Sequence, residues 1–186
     1  MPTVAELEAE AARLEYRDRY RTVLTSTVYA LITVAAIAVL VATLLLPVLQ
    51  IYGTSMTPTL YESDIVVSVK GSDYKRGDII SFYYNNKILV KRVIAFEGEW
   101  VDMDEEGHVS VNGEPLDELY VQEFSVGECD IEFPYQVPDG RIFVMGDHRS
   151  TSQDSRVEAI GCVSDEQTVG KIVFRLWPLN RFGKVE

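Results

Sequence analysis

The chain contains little cysteine, little histidine and no excess of positive charge. Its 186 residues include two cysteines, two histidines and a formal net charge of −12. Cys129 and Cys162 are too few for a disulfide framework and lack the C-x-x-C spacing of a zinc or dithiol site. Whether they pair with each other is left open. Because nucleic-acid binding needs a basic surface, the charge balance excludes nucleic acid as a partner.

Charge is absent from residues 22–61, and this stretch contains the apolar run 28–49. A helix needs roughly 20 apolar residues to cross about 30 Å of hydrocarbon, so the run is long enough. A buried core helix would carry a regular polar stripe, which is missing, and the core of a cleaved signal peptide is shorter. We therefore predict a short N-terminal segment, 1–24, followed by an uncleaved transmembrane helix, 25–49.

Basic residues lie on only one side of the predicted span. Arg13, Arg17, Arg19 and Arg21 precede it, and the next Lys or Arg is Lys70. Positive residues flanking a span favour the cytoplasmic side of the membrane. We expect a single-pass protein of the plasma membrane, with a cytoplasmic N-terminus and the remainder of the chain outside.

The texture changes after Pro47 to short runs of β-branched and aromatic residues separated by Gly, Asp, Asn and Pro, which is typical of strands. Candidate strands cover 64–69, 78–84, 88–96, 108–111, 141–145 and 171–177. Asn112-Gly113 predicts a hairpin turn, because both residues tolerate positive φ. These patterns predict one mainly β domain over 50–186, with an acidic, turn-rich excursion at about 102–140.

A hydroxyl-rich turn, 53–60, follows the predicted span and presents Ser55. Such turns are common and carry little weight alone. A serine becomes a nucleophile only when a neighbouring base takes its proton. His148 beside Asp147 is one candidate base, although sequence neighbours do not establish a triad. His108 lies in the hairpin candidate, where a surface position is expected.

Lys91 is the more unusual candidate base, because it interrupts the apolar segment 88–94 next to Arg92. Alternation along a strand puts the two basic side chains on opposite faces, so one should point inward. Burial could lower the pKa of a lysine from about 10.4 into the range of a base. An edge lysine that discourages aggregation is the alternative.

A strand then leads into a dense polar loop at 146–156. Such a loop can hold a carboxylate and a guanidinium in fixed geometry, with Asp147 or Asp154 accepting from Arg149 or Arg156. A solvated turn with no such role is the alternative.

Taken in order, these segments resemble bacterial type I signal peptidases, the Ser-Lys proteases that remove signal peptides from exported proteins. The likeness rests on the anchor, Ser-Met-x-Pro-Thr-Leu at 55–60, Arg-Gly-Asp-Ile at 76–79, Lys-Arg-Val-Ile at 91–94, the loop 146–156 and Trp-Pro-Leu at 177–179. Five motifs in one order are far more specific than any of them alone. The short interval from Ser55 to Lys91 is similar to that of the compact Gram-positive forms.

The resemblance implies a signal-peptidase-like β-barrel or sandwich in which Ser55 is the nucleophile and Lys91 the general base. Ser152 would orient the lysine, and no metal or cofactor would be needed. The residues expected to support the loop are Asp147, Arg149, Asp154 and Arg156. The partners implied are preprotein signal peptides, cut after an Ala-x-Ala-like site, with Met56, Leu60 and Val90 lining the first pocket.

Some positions depart from the commonest family pattern. Gly53 stands where some members place a hydroxyl residue as second oxyanion donor, His148 stands where Asn is common, and 95–99 replaces a Gly-x-Pro-Gly-Asp segment. Two other functions remain open at this point. One is a related peptidase with a single dedicated substrate, and the other is a catalytically silent membrane-anchored binding domain.

Overall fold

The computed structural model describes residues 3–71 and 73–185, which form two compact units. The first unit consists of helix α1, Val4–Leu45, and its stretch Arg13–Leu44 is long and apolar enough to cross a membrane. From Val4 onward the predicted N-terminal segment and span form one continuous helix, and residues 1 and 2 lie outside the described residues. The helix ends at Leu45, four residues before the expected end of the span at residue 49. Pro47 disfavours helical backbone in the residue before it, and a strand begins at Val48.

The second unit is mainly β, as predicted. Its strands are Val48–Gln50 (β1), Ile65–Val69 (β2), Ile79–Tyr84 (β3), Lys87–Phe96 (β4), Trp100–Met103 (β5), Val109–Val111 (β6), Glu114–Pro115 (β7), Tyr135–Gln136 (β8), Arg141–Met145 (β9), Val163–Ser164 (β10), Thr168–Trp177 (β11) and Gly183–Lys184 (β12). All six predicted strands are present. The strands that prediction missed are mostly two or three residues long, too short for an alternating pattern to show.

The larger sheet has the order β1-β2-β11-β3-β4-β9-β10, and β12 pairs with β11. The strand pairs of this sheet are antiparallel. Strand β4 lies between β3 and β9, with Lys91 opposite Ile80 and Arg92 opposite Met145. The central position of β4 places both basic residues inside the fold.

The excursion forms a second, four-stranded sheet of order β7-β6-β5-β8. Its first strand begins at Trp100, two residues before the expected start. The predicted hairpin is confirmed, since Val111 pairs with Glu114 around Asn112 and Gly113, whose φ angles are +54° and +81°. The excursion therefore contains a small sheet, with an irregular segment between β7 and β8.

Apolar residues form three buried clusters in the β unit. The cluster that bears on the site contains Ile51, Met56, Leu60, Val66, Ile79, Ile172 and Val185, with Leu49 and Val90 packed against it. Met56 and Leu60 belong to the loop that carries Ser55. Their burial pins that loop to the sheet, because removing either apolar side chain from its neighbours would leave a cavity.

Candidate active site

Ser55 lies in a loop that is closed at its base by backbone hydrogen bonds. The N–H of Ile51 donates to the carbonyl of Asp64 at 2.8 Å, and the N–H of Ser63 donates to the carbonyl of Ile51 at 2.9 Å. Ser55 itself is half-buried between the anchored Met56 and the exposed Thr54. The loop therefore holds one hydroxyl at a fixed position while leaving it partly accessible.

Lys91 reaches this hydroxyl from strand β4. Its Nζ lies 2.8 Å from Ser55 Oγ and 3.0 Å from Ser152 Oγ, and the residue is 3% exposed. This burial excludes the exposed edge lysine that the strand pattern left open. The structure thus brings together three residues that are 36 and 61 positions apart along the chain.

Burial lowers the pKa of Lys91 to about 8, because the ammonium loses most of its hydration. The negative charges of Asp154 and Asp147 act against this, and the positive charge of Arg156 assists it. A lysine with this pKa is about half neutral near pH 8, and the neutral fraction grows as the pH rises further. Its lone pair can then accept the proton of the Ser55 hydroxyl, which is the condition for a general base.

The loop after β9 approaches the site through Gly146. A Cβ built on this glycine would lie 2.2 Å from Ser152 Oγ and 2.5 Å from the carbonyl oxygen of Ser55. No real Cβ contact is that short, so only glycine fits. The N–H of His148 also donates to the Ser55 carbonyl at 3.1 Å, which ties this loop to the loop that carries Ser55.

Asp154 and Arg156 form a fully buried ion pair within this loop. Two guanidinium nitrogens of Arg156 lie 2.8 Å from the carboxylate oxygens, and the N–H of Gly146 donates to the same carboxylate at 2.9 Å. Burial alone would raise the pKa of Asp154, but these hydrogen bonds and the charge of Arg156 hold it below its usual value. The carboxylate therefore stays ionised and supports the loop that carries Ser152.

Asp147 pairs with Arg92, and neither of the loop arginines reaches it. Two Arg92 nitrogens donate to its carboxylate at 2.7 and 2.8 Å, and Thr59 Oγ1 donates at 2.5 Å. Of the pairings that the sequence left open, only Asp154 with Arg156 occurs. Thr59 and Arg92 were not predicted in these roles, although both stand inside the matched motifs.

Arg149 has a partner that the sequence did not indicate. Both terminal nitrogens of its guanidinium contact the carboxylate of Glu118, and its Nε donates to the carbonyl of Gly146 at 3.1 Å. Arg149 is 0% exposed and Glu118 is 6% exposed. Glu118 lies in the acidic excursion, where no sequence signal separates it from its acidic neighbours.

The two histidines lie away from the pair Ser55 and Lys91. His148 Nδ1 lies 3.2 Å from Thr57 Oγ1, and no contact between the ring and Ser55 or Lys91 occurs among the residues described. His108 lies on the surface beside Asp104, as expected. The Ser-His-Asp alternative is therefore not supported by the geometry.

A cavity of about 820 Å³ lies beside Ser55 and Lys91. Gly53, Met56 and Val90 line it together with residues of β1 and the start of β4. Leu60 does not line this cavity and is fully buried in the cluster beneath Met56. Two of the three expected pocket residues, Met56 and Val90, thus line the cavity beside Ser55 and Lys91, while Leu60 lies behind the cavity wall.

The described residues include no cluster of three or more His, Cys, Asp or Glu that could hold a metal ion. Cys129 and Cys162 are both free thiols. Burial raises the pKa of Cys162 to about 11, so that thiol is protonated at neutral pH.

The chain is similar to known proteins of one family. The family model described as signal peptidase, peptidase S26, matches residues 24–177. Signal peptidase I of Leptolyngbya laminosa is 36% identical over 146 residues, which cover 70% of this chain and 68% of that protein. Signal peptidase I of Bacillus amyloliquefaciens is 32% identical over 168 residues, covering 84% and 90% of the two chains. A crystal structure of a signal peptidase I from Enterococcus faecalis is 30% identical, with a TM-score of 0.43, and covers 54% of this chain and 97% of its own. The chain therefore belongs to the signal peptidase family, peptidase S26.

Proposed function

We propose that Ser55 and Lys91 are the catalytic dyad with which this chain cuts preproteins after an Ala-x-Ala-like site. As a member of its family the chain is a serine endopeptidase that removes signal peptides. The observation that carries the dyad is the 2.8 Å contact between Lys91 Nζ and Ser55 Oγ, made inside a buried site. No comparable contact joins either histidine to Ser55 in the part of the chain described.

In the reaction, neutral Lys91 takes the proton of the Ser55 hydroxyl as Oγ attacks the scissile carbonyl carbon. The resulting ammonium then donates that proton to the departing amine, leaving an acyl-enzyme on Ser55. Water, deprotonated by Lys91, attacks the ester, and the proton returns to Ser55 as the acid product leaves. Ser152 holds Nζ in line through its 3.0 Å contact.

Negative charge develops on the carbonyl oxygen during each attack. The backbone N–H of Ser55 is the first donor available to stabilise it, and losing one such donor typically lowers the rate by roughly 10²–10³. Gly53 has no side chain to supply a second donor. Thr54 is the nearest hydroxyl residue in the chain, and it is exposed.

The cavity beside the dyad supports binding of an extended peptide with small side chains. Met56 and Val90 would contact the residue before the cut, and buried Leu60 would limit the depth of the pocket from behind. Backbone hydrogen bonds to a strand would give affinity, while a shallow apolar pocket would exclude large side chains.

Helix α1 would hold the enzyme in the membrane where its substrates also lie. Confining both to two dimensions raises their effective concentration. The arginines before the span favour a cytoplasmic N-terminus and an extracytoplasmic β unit. A membrane-impermeant maleimide applied to intact cells should then label the partly exposed Cys129, and a Cys129→Ser variant should lose that label. Labelling only after permeabilisation would contradict this orientation.

The dyad is tested by cleavage of a preprotein with an Ala-x-Ala site, using the full chain in detergent. Ser55→Ala and Lys91→Ala should each lower kcat by at least about 10⁴-fold, because removing one member of such a unit disables it. Lys75→Ala, which changes an exposed lysine, is the matched control. Wild-type activity should rise as the pH passes through about 8, where Lys91 loses its proton. Activity retained by folded Ser55→Ala would refute the dyad, and an intact preprotein under conditions where a relative cuts it would indicate a dedicated substrate.

A further inference from the structure

Two residues of the segment between β7 and β8, Glu118 and Tyr120, contact arginines that lie beside the site. Glu118 holds both terminal nitrogens of Arg149, and the Tyr120 hydroxyl donates to Glu118 Oε1 at 2.9 Å. The Tyr120 ring also lies against Arg92, with 3.9 Å between the guanidinium carbon and the ring centroid. One short segment between β7 and β8 thus contacts two arginines, Arg149 and Arg92.

Each arginine connects that segment to a catalytic side chain. Arg149 donates to the carbonyl of Gly146 at 3.1 Å, and Gly146 packs so closely on Ser152 that a Cβ would collide with Ser152 Oγ. Arg92 is covalently joined to Lys91 as the next residue of β4, and two of its nitrogens donate to Asp147. A shift of either guanidinium would therefore displace Ser152 or Lys91.

The buried environment of Glu118 and Arg149 favours a fixed geometry for this ion pair. Glu118 and Arg149 are both buried, so their attraction is weakly screened by solvent. Burial and the negative charge of Glu118 raise the pKa of Tyr120, so its hydroxyl remains a donor throughout the range in which Lys91 titrates. Tyr120 then has two separable contacts, a hydrogen bond to Glu118 and a ring face on Arg92.

We propose that Glu118 and Tyr120 are positioning residues for Ser55 and Lys91, so that this segment of the excursion is a working part of the active site. This inference rests on the proposed roles of Ser55 and Lys91. Neither residue touches the reacting atoms, and both act through Arg149 and Arg92. The excursion is then required for the rate of the chemical step as well as for the shape of the domain.

The test compares Glu118→Gln and Tyr120→Phe in the full chain with Asp117→Asn, an exposed neighbour that loses the same charge. Misplacing a catalytic group by about 1 Å can lower the rate roughly 100-fold. We expect Glu118→Gln to lower kcat by roughly 10- to 100-fold with KM little changed. Tyr120→Phe should have a smaller effect, because it keeps the ring on Arg92, and Asp117→Asn should match wild type.

The pH dependence of kcat gives a readout that a purely structural role would not change. Lys91 is faced by Asp154, Asp147 and Arg156, and burial is the strongest influence on its pKa. If the loop loosens and water enters, that pKa rises toward its ordinary value. The rising limb of the profile in Glu118→Gln should therefore move to higher pH.

Glu118→Gln leaves Arg149 without a carboxylate and could lower stability. The double variant Glu118→Leu/Arg149→Met removes both charges, which often leaves a buried site stable. We expect it to fold and still to show a reduced kcat. A wild-type kcat and pH limb in folded Glu118→Gln and in the double variant would overturn the inference. Activity retained by Ser55→Ala would instead overturn the dyad, so the two failures are distinguishable.

Discussion

The loop 146–156 and the excursion 102–140 both carry many charged residues, but in opposite environments. The loop buries Asp147, Arg149, Asp154 and Arg156 to 1% exposure or less. The excursion has twelve acidic residues and no Lys or Arg, and only Glu118 among its acids is buried. The difference shows that the acidity of this chain is mostly a surface property, while the loop 146–156 depends on paired internal charge.

Buried and exposed charges differ in what removing one partner does. A buried ion whose partner is lost keeps its desolvation penalty with no compensating attraction. An exposed acid is hydrated in either case, so its substitution changes little. Three variants separate the two situations: one in the loop, one at Thr59, whose hydroxyl binds the loop residue Asp147, and one in the excursion. All are measured by chemical denaturation of the full chain in detergent.

The largest expected effect is that of Asp154→Asn. This change leaves Arg156 fully buried beside a neutral amide, and we expect a loss of about 3–5 kcal/mol in the free energy of unfolding. Tryptophan fluorescence can follow the transition, since Trp100 and Trp177 both lie in the β unit. Asp139→Asn, at an exposed site, is the control. Equal denaturation midpoints for the two variants would remove the contrast between the regions.

A smaller effect is expected for Thr59→Val. The hydroxyl donates to Asp147 and accepts from Arg92 at 3.1 Å, so its loss leaves a charged group short of one hydrogen bond. We expect destabilisation of about 1.5–3 kcal/mol, typical of hydrogen bonds to charged groups. Thr151→Val removes an exposed hydroxyl of the same type for comparison. An unchanged midpoint for Thr59→Val would mean that water replaces the lost bond.

The smallest effect is expected for the double substitution Glu105→Gln/Glu106→Gln, in the exposed turn between β5 and β6. Both carboxylates are hydrated, so neither the denaturation midpoint nor preprotein cleavage should change measurably. A loss of stability comparable with that of Thr59→Val would show that the excursion acids have structural partners.

The sequence predicted the strands with a strong alternating pattern, including β4 and β9. It missed β1 and β5, of three and four residues, and the four strands β7, β8, β10 and β12. Those four are two residues each, so their identity depends on a partner strand. The end of α1 was also missed, although Pro47 marks it. Local signals were sufficient where an element is long enough to have its own periodicity.

At the site, the sequence selected Ser55, Lys91 and Ser152 through a resemblance to a family, and the fold brings the three within hydrogen-bonding distance. The pairings of the supporting charges could not be predicted. Arg149 stands two residues after Asp147 yet binds Glu118, 31 positions away. In a loop whose side chains point in different directions, nearness in sequence does not predict which charged side chains pair.

Residue order alone was enough to establish an apolar helix followed by a β domain, because hydropathy and alternation are local properties of the chain. Which lysine is buried, which acid meets which arginine and how far the pKa of Lys91 falls were decided only when distant segments packed together. Desolvation and ion pairing depend on atoms brought together across the sheets. The chemistry of this site therefore belongs to the folded chain, even though its residues can be read in the sequence.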